Sequence, residues 1–244
     1  MMPTKHLADD GVQARGERPY MPRRKQTVDA QLAQTFQDRL LTWYATHKRD
    51  LPWRNTSDPY KILVSEIMLQ QTQVDRVIPK YEEFLQKYPT LEALANAPVE
   101  EVTQTWYPLG YNVRPVRLQS IAREAVERYG GKIPDDAEAL QSLKGVGRYT
   151  AGAILSFAFG REAPILDTNV RRVLHRVFFG EGDAKGYGVQ KQLWELSEVL
   201  IPAGKGYDFN QGLMDFGATM CTARKPLCLL CPLNDICKAY PCSA

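Results

Sequence analysis

Residues 140–170, LQSLKGVGRYTAGAILSFAFGREAPILDTNV, decide the fold of this chain. They read as a short helix, a tight turn holding Gly145 and Gly147, and a longer apolar helix from about Arg148 to residue 159. The apolar segment Ala163-Pro164-Ile165-Leu166 follows and delivers Asp167 to the start of a further helix. A helix that begins just after two glycines offers free backbone amides to an anion, with no Cβ to keep a phosphate away. Phosphate contact of this kind positions a nucleic acid without reading its sequence.

The pattern around this stretch is helical almost throughout. Leu32, Phe36, Leu40 and Trp43 recur at helical spacing. Asp58-Pro59 supplies an N-cap and a first-turn proline, predicting a helix through about Gln73. Val77, Tyr81, Phe84 and Tyr88 mark the next helix; Thr90 and Pro98 open two short ones. Leu118, Ile121, Ala125 and Tyr129 define a longer helix that Gly130-Gly131 stops. Further helices are expected near 136–142, 168–179, 188–200 and 208–219. No alternating strand pattern occurs, so the expected fold class is all-α.

The 244 residues, 44% hydrophobic and 24% charged, suit a soluble globular protein. No apolar run approaches the roughly 20 residues of a membrane span, and no secretion signal is evident, so a cytoplasmic location is expected. The net charge of +3 permits nucleic-acid binding without requiring it. Residues 1–27 carry Arg15, Arg18, Arg23, Arg24 and Lys25 and read as a disordered basic tail, either a plain solvated leader or a DNA-tethering arm. All five cysteines fall at or after Cys221. Clustering of that kind points to a metal centre rather than a disulfide framework. Thiolates suit zinc or an iron–sulfur cluster, and Cys221, Cys228, Cys231 and Cys237 contain only one short C-x-x-C pair.

Three separated motifs agree in order and spacing with one family. LKGVGRYTAGAIL with ILDTNV, the cysteine tail, and LPWRNTSDPYKILVSEIMLQQTQV at residues 51–74 together resemble the endonuclease III, or helix-hairpin-helix, superfamily of DNA glycosylases. The resemblance covers about residues 30–240 and is nearest to MutY-type adenine glycosylases. It implies a two-lobed fold: a six-helix bundle at 57–163, and an iron–sulfur domain built from 28–56 plus 164–244. It also implies a [4Fe-4S] cluster on Cys221, Cys228, Cys231 and Cys237, whose spacing matches the family loop. The partner implied is double-stranded DNA containing a mismatch or lesion, met by a monomer, nucleoid-associated if the source is bacterial or archaeal.

The same resemblance assigns roles to residues. Breaking the bond between base and deoxyribose needs an acid for the leaving base and an anion beside the sugar cation. Glu66, in the apolar run Ile62–Leu69, is the implied acid for adenine, because burial holds a proton on a carboxyl. Asp167 is the implied anion, with Asn169 holding it; capping the following helix is compatible with that task. Tyr149 stands where strand-cleaving members carry a Schiff-base lysine, which implies a monofunctional enzyme. Gln70, Gln71 and Tyr111 are candidates for filling the gap left by a flipped base. Trp53, Arg54 and Gln211 are candidate walls of the base pocket, with Trp53 equally suited to the core. Gly145, Gly147 and Arg148 are candidate DNA contacts. Arg224 and Lys225 either meet phosphates or are solvated loop charges. Cys242 is surplus.

Three departures from the pattern stand out. Lys144 replaces the usual proline of the glycine turn, and Asn112 stands where adenine glycosylases often have a second aromatic. MutY-type enzymes usually continue into a domain that recognises 8-oxoguanine, and this chain stops after the cysteines, so weak discrimination of 8-oxoguanine is expected. SEIMLQQTQ, LGYN and LANAP favour adenine as the excised base. Tyr149, DFNQGLMDFG and the cysteine-bearing end resemble thymine glycosylases acting on T·G or U·G mismatches. A non-catalytic DNA-binding iron–sulfur protein, or a zinc-stapled interaction module, are the remaining alternatives.

Overall fold

The computed structural model describes residues 28–242; the basic tail at 1–27 lies outside them. Among the described residues there are only helices, turns and loops, in agreement with the all-α expectation. No described helix is long and apolar enough to cross a membrane.

Eleven α-helices are described: α1 (Ala30–His47), α2 (Pro59–Leu69), α3 (Val74–Lys87), α4 (Leu91–Asn96), α5 (Val99–Trp106), α6 (Val113–Tyr129), α7 (Ala137–Ser142), α8 (Arg148–Phe157), α9 (Thr168–Phe178), α10 (Tyr187–Val199) and α11 (Gly206–Asp215). Their starts are chemical. Asp29, Asp58, Thr90, Asp136 and Asp167 each accept a backbone N–H of the helix they open. Gly130, left-handed at φ +59°, ends α6 as Gly130-Gly131 predicts.

Two helix ends differ from expectation. α2 stops at Leu69, not near Gln73, because Gln71 turns left-handed at φ +56°. The carbonyls of Ile67 and Met68 then accept from the Arg114 guanidinium instead of from the next turn. α11 ends at Asp215, and residues Phe216–Met220 continue as a wider π turn that closes on Cys221, whose N–H reaches Phe216 O at 2.7 Å.

Helices α2 to α8 pack mainly on one another, with α6 against α4 and α5, and α8 against α2 and α7. This group contains seven helical segments where the reading of 57–163 expects six; α4 and α7 are only six residues long. The second group unites α1 with α11, and α9 with α10, α11 and the π turn. One hydrophobic core runs through both, with Phe36, Leu63, Ile67, Phe84, Trp106, Phe209 and Phe216 inside it.

α2 explains how a carboxyl reaches that interior. It is apolar nearly all round, which buries a helix on every face. Ile62, Leu63, Val64, Ile67 and Met68 are all buried, each contributing about 1.5–3 kcal/mol. Together they outweigh the few kcal/mol that burying Glu66 costs, a cost the carboxyl reduces by keeping its proton.

Candidate active site

A cavity of about 540 Å³ opens between the two helix groups. Glu66 and Gln70 of α2, Tyr149 of α8 and the Asp167–Asn169 start of α9 line it, with Trp53, Leu166 and Met214 as apolar walls. Tyr149 sits in the first turn of the helix that follows the glycine turn. The turn thus connects directly to the cavity.

The close approach of Asp167 to α8 depends on Gly152. A Cβ there would lie 2.2 Å from Pro164 O, so only glycine lets the Pro164–Leu166 segment run along α8. Asp167 emerges from that segment beside Tyr149. At the turn itself, Gly145 has φ +110°, and a Cβ would meet Arg117 Cδ at 2.4 Å. Gly147 has open space where a Cβ would be, leaving its backbone approachable.

Glu66 is 4% exposed. Burial pushes its carboxyl up to about 7, with the Asp167 charge adding to the rise; the Tyr149 hydroxyl, which hydrogen-bonds Glu66, and the Arg54 charge oppose it. The Tyr149 hydroxyl is itself raised well above the phenol range by burial and by the two carboxyls. Asp167 is raised by burial, against its hydrogen bonds and the charge of Arg172. It accepts from Val170 N–H at 2.6 Å and from Asn169 Nδ2 at 3.1 Å. These two carboxyls differ in surroundings: Glu66 has one hydroxyl donor, whereas Asp167 faces two donors and a guanidinium. Neighbours that differ in this way separate an acid from an anion.

Asn169 is part of a longer chain of contacts that no motif in the sequence announces. Arg172 donates to Asn169 Oδ1 at 2.8 Å, to Gly217 O at 2.5 Å and to Cys221 O at 2.8 Å. One turn on, Arg176 reaches Thr222 O at 2.7 Å and Cys221 Sγ at 3.4 Å. The start of the cysteine loop is therefore tied to the carboxylate-bearing helix. Its end is tied there as well, through Lys238 N to Val177 O and Ala239 N to Arg176 O. Within the loop, the Cys231 thiol is pushed up to about 11 by burial, and the sulfurs of Cys221, Cys237 and Cys228 add to the rise. Four sulfurs near enough to repel one another, with an arginine against one of them, suit thiolates gathered around a metal centre.

Two sequence candidates, Arg54 and Gln211, sit off the cavity lining. Arg54 does not line the cavity: its guanidinium forms a two-pronged ion pair with buried Asp215, at 2.7 and 2.8 Å, which Arg49 Nε joins at 2.6 Å. Burial pushes Asp215 upward, but Arg54 and Arg49 outweigh it and hold the carboxyl below its ordinary range. Arg49, not Arg54, reaches the cavity lining. Gln211 is buried in α11, also off the lining. Trp53 serves both purposes, lining the cavity and packing edge-on against Tyr81 at 5.5 Å. Gln71 is exposed at the cavity rim, and Tyr111, 59% exposed, projects from the neighbouring loop. Arg148 lays its guanidinium over the Trp194 ring at 4.1 Å, and Arg224 and Lys225 are exposed.

Among the described residues, an all-helical fold with a glycine hairpin, an acid-lined cleft and a four-cysteine loop tied to it defines the class. The comparisons with known proteins give the family. Residues 64–198 match the model of the HhH-GPD superfamily base excision DNA repair proteins, and residues 221–237 match the iron-sulfur binding domain of endonuclease III. The chain is 49% identical over 213 residues to a human adenine DNA glycosylase, covering 84% of this chain and 39% of that protein. It is 41% identical over 206 residues to a thymine/uracil-DNA glycosylase of Methanothermobacter thermautotrophicus, covering 84% of this chain and 93% of that one. The solved structure of a thermostable thymine-DNA glycosylase superposes with a TM-score of 0.81 at 39% identity, over 86% of this chain and 97% of that chain. This chain belongs to the HhH-GPD superfamily of base excision DNA repair proteins. It spans about two fifths of the length of its human relative.

Proposed function

We propose that this chain is a monofunctional DNA glycosylase that removes a mispaired adenine from duplex DNA. One observation carries the reading: the buried Glu66 carboxyl, pushed up to about 7 by burial, shares a cavity with the Asp167 carboxyl, which is held by Val170 N–H and Asn169 Nδ2. A carboxyl that keeps its proton toward neutral pH suits a poor leaving group such as adenine.

The duplex binds through its phosphates at the glycine turn, where Gly147 leaves the backbone open. The target base leaves the stack and enters the cavity, and Gln71 and Tyr111 enter the gap. Glu66 delivers its proton to the adenine ring as the bond to the sugar breaks and the bond electrons pass to the base. The Asp167 carboxylate, held by Asn169 and Val170 N–H, stabilises the sugar cation until water adds to it and loses a proton. Tyr149 has no amine to form a Schiff base, so the product is an intact strand with an abasic site.

The four cysteines would hold a [4Fe-4S] cluster. Bound there, it would supply a structural cross-link among the four thiolates of the loop, which Arg172 and Arg176 already tie to α9.

A second reading rests on a specific finding: the thymine/uracil relative is matched over nearly its whole length. Thymine or uracil removal from T·G and U·G pairs is therefore the alternative. The deciding test is a panel of duplexes with A opposite 8-oxoguanine, A·G, T·G and U·G, each treated with alkali after incubation. Adenine-containing duplexes are expected to break only after alkali. Cleavage of T·G with none of the adenine pairs overturns the adenine reading, and nicking before alkali overturns the monofunctional one.

A further inference from the structure

Two described residues other than glycine have left-handed backbone: Gln71 at φ +56° and Tyr111 at φ +51°. They are the two gap-filling candidates, and L residues hold that conformation only where surroundings enforce it. One buried side chain is hydrogen-bonded to both loops. Arg114, in the first turn of α6, is 4% exposed and has no carboxylate partner among the described residues. Its Nη1 donates to Ile67 O at 3.1 Å, Met68 O at 2.9 Å and Gln70 O at 2.5 Å. Its Nη2 donates to Thr72 Oγ1 at 3.0 Å, Leu109 O at 3.2 Å and Gly110 O at 3.1 Å. The acceptors flank Gln71 on both sides and lead directly into Tyr111. The guanidinium also lies 5.3 Å from the Tyr111 ring and 5.3 Å from the Trp106 ring.

A buried cation matched only by carbonyls, a hydroxyl and ring faces is costly, so its placement calls for a reason. Part of the compensation is the negative end of α2, where carbonyls left without helical partners meet a positive charge. Capping one helix end, however, does not need a fork that also reaches Leu109 and Gly110. Nη1 holds the end of α2, while Nη2 spans the two loops, reaching Thr72 on one side and Leu109 and Gly110 on the other; a planar fork fixes both sets at once, which a single ammonium does not.

We propose that Arg114 is the positioning residue of the base-extrusion wedge: it clamps the Gln71 and Tyr111 loops at a fixed spacing, so that both side chains enter the stack together. This rests on the glycosylase reading above. It assigns Arg114 to the step that empties the stack and not to bond breaking, which Glu66 and Asp167 perform. Pre-organisation of this kind lowers the cost of reaching the reactive complex without touching the reacting atoms.

The test uses the cluster-bearing protein at saturating concentration. A duplex carries 2-aminopurine beside the target adenine, whose fluorescence rises when its neighbour leaves the stack. Arg114→Met and Arg114→Lys are each expected to lower the unstacking amplitude and the single-turnover excision rate together, by about tenfold or more. The pH midpoint of excision should stay where it is in the wild type. Normal unstacking by either variant overturns the inference, as does lost excision with unstacking intact or a moved pH midpoint. Should neither variant yield cluster-bearing protein, Thr72→Val decides, since it removes one fork contact and leaves the cation in place. That variant is expected to lower the amplitude about threefold, and an unchanged amplitude overturns the proposal. Wild-type protein that neither unstacks nor excises any duplex of the panel overturns the glycosylase reading, whereas wild-type excision alongside variants that unstack normally overturns only the role of Arg114.

Discussion

Replacing Glu66 by glutamine removes an ionisable group from the interior while keeping its size and its ability to accept the Tyr149 hydroxyl. Excision of adenine should vanish, because an amide has no proton of suitable acidity to give. Stability should move the other way. Burial raises the Glu66 carboxyl from 4.5 to about 7, so the folded protein binds its proton more tightly than the unfolded chain does. The stability this proton confers is fully present below about pH 4.5 and is lost as pH rises through about 7. At about 1.4 kcal/mol per pH unit the whole displacement corresponds to about 3 kcal/mol. Some of that is already gone at about pH 5.5, which leaves about 2 kcal/mol to be lost between there and about pH 8.5. Glutamine does not titrate, so Glu66→Gln should gain on the wild type across this interval. For a chain of this size the gain amounts to about 4–8 °C in unfolding midpoint. The assay is a thermal melt of both proteins at the two pH values, with cluster absorbance followed to confirm equal loading. A difference between the two proteins that does not change with pH would refute a buried, proton-holding Glu66. On the proposed reading, single-turnover excision by the wild type should fall as pH rises through about 7.

Other perturbations test the neighbouring groups. Tyr149→Lys places an amine beside Asp167 and should yield a covalent DNA complex when the reaction is quenched with borohydride; the wild type should yield none. Asp215→Asn leaves Arg54 buried without its carboxylate and should cost about 3–5 kcal/mol, read as a lower melting temperature. A change within about 0.5 kcal/mol would mean that the pair is not a structural lock. The two glycines of the turn should separate. Gly145→Ala forces a Cβ onto Arg117 at φ +110° and should cost about 1–3 kcal/mol of stability. Gly147→Ala should melt like the wild type yet bind duplex DNA more weakly, a distinction that melting curves and a salt-dependent binding titration would show.

Much of this protein was legible because its chemistry is local. Asp58-Pro59, Thr90 and Gly130-Gly131 set helix ends by hydrogen bonds and backbone preferences that act within a turn, and they appear in the structure where the residues stand. The glycine turn, the apolar run around Glu66 and the cysteine spacing are likewise readable in one dimension. α2 was predicted too long because its end is decided from afar: Arg114, more than forty residues on, takes the carbonyls that another helical turn would have used.

The site divides in the same way. Sequence by itself determined an all-α fold class, a glycine turn ahead of a helix, two acids in suitable contexts and four cysteines at cluster spacing. Tertiary structure decided which of these meet. Gly152 lets the Pro164–Leu166 segment lie against α8 and so sets Asp167 beside Tyr149 and Glu66. It also decided that Arg54 spends its charge on Asp215, that Arg49 takes its place at the cavity, and that Arg172 joins Asn169 to the cysteine loop. These are long-range pairings of arginine with acceptors on other elements. Any arginine in the chain could make them in principle, and only the packed positions of the helices select which one does.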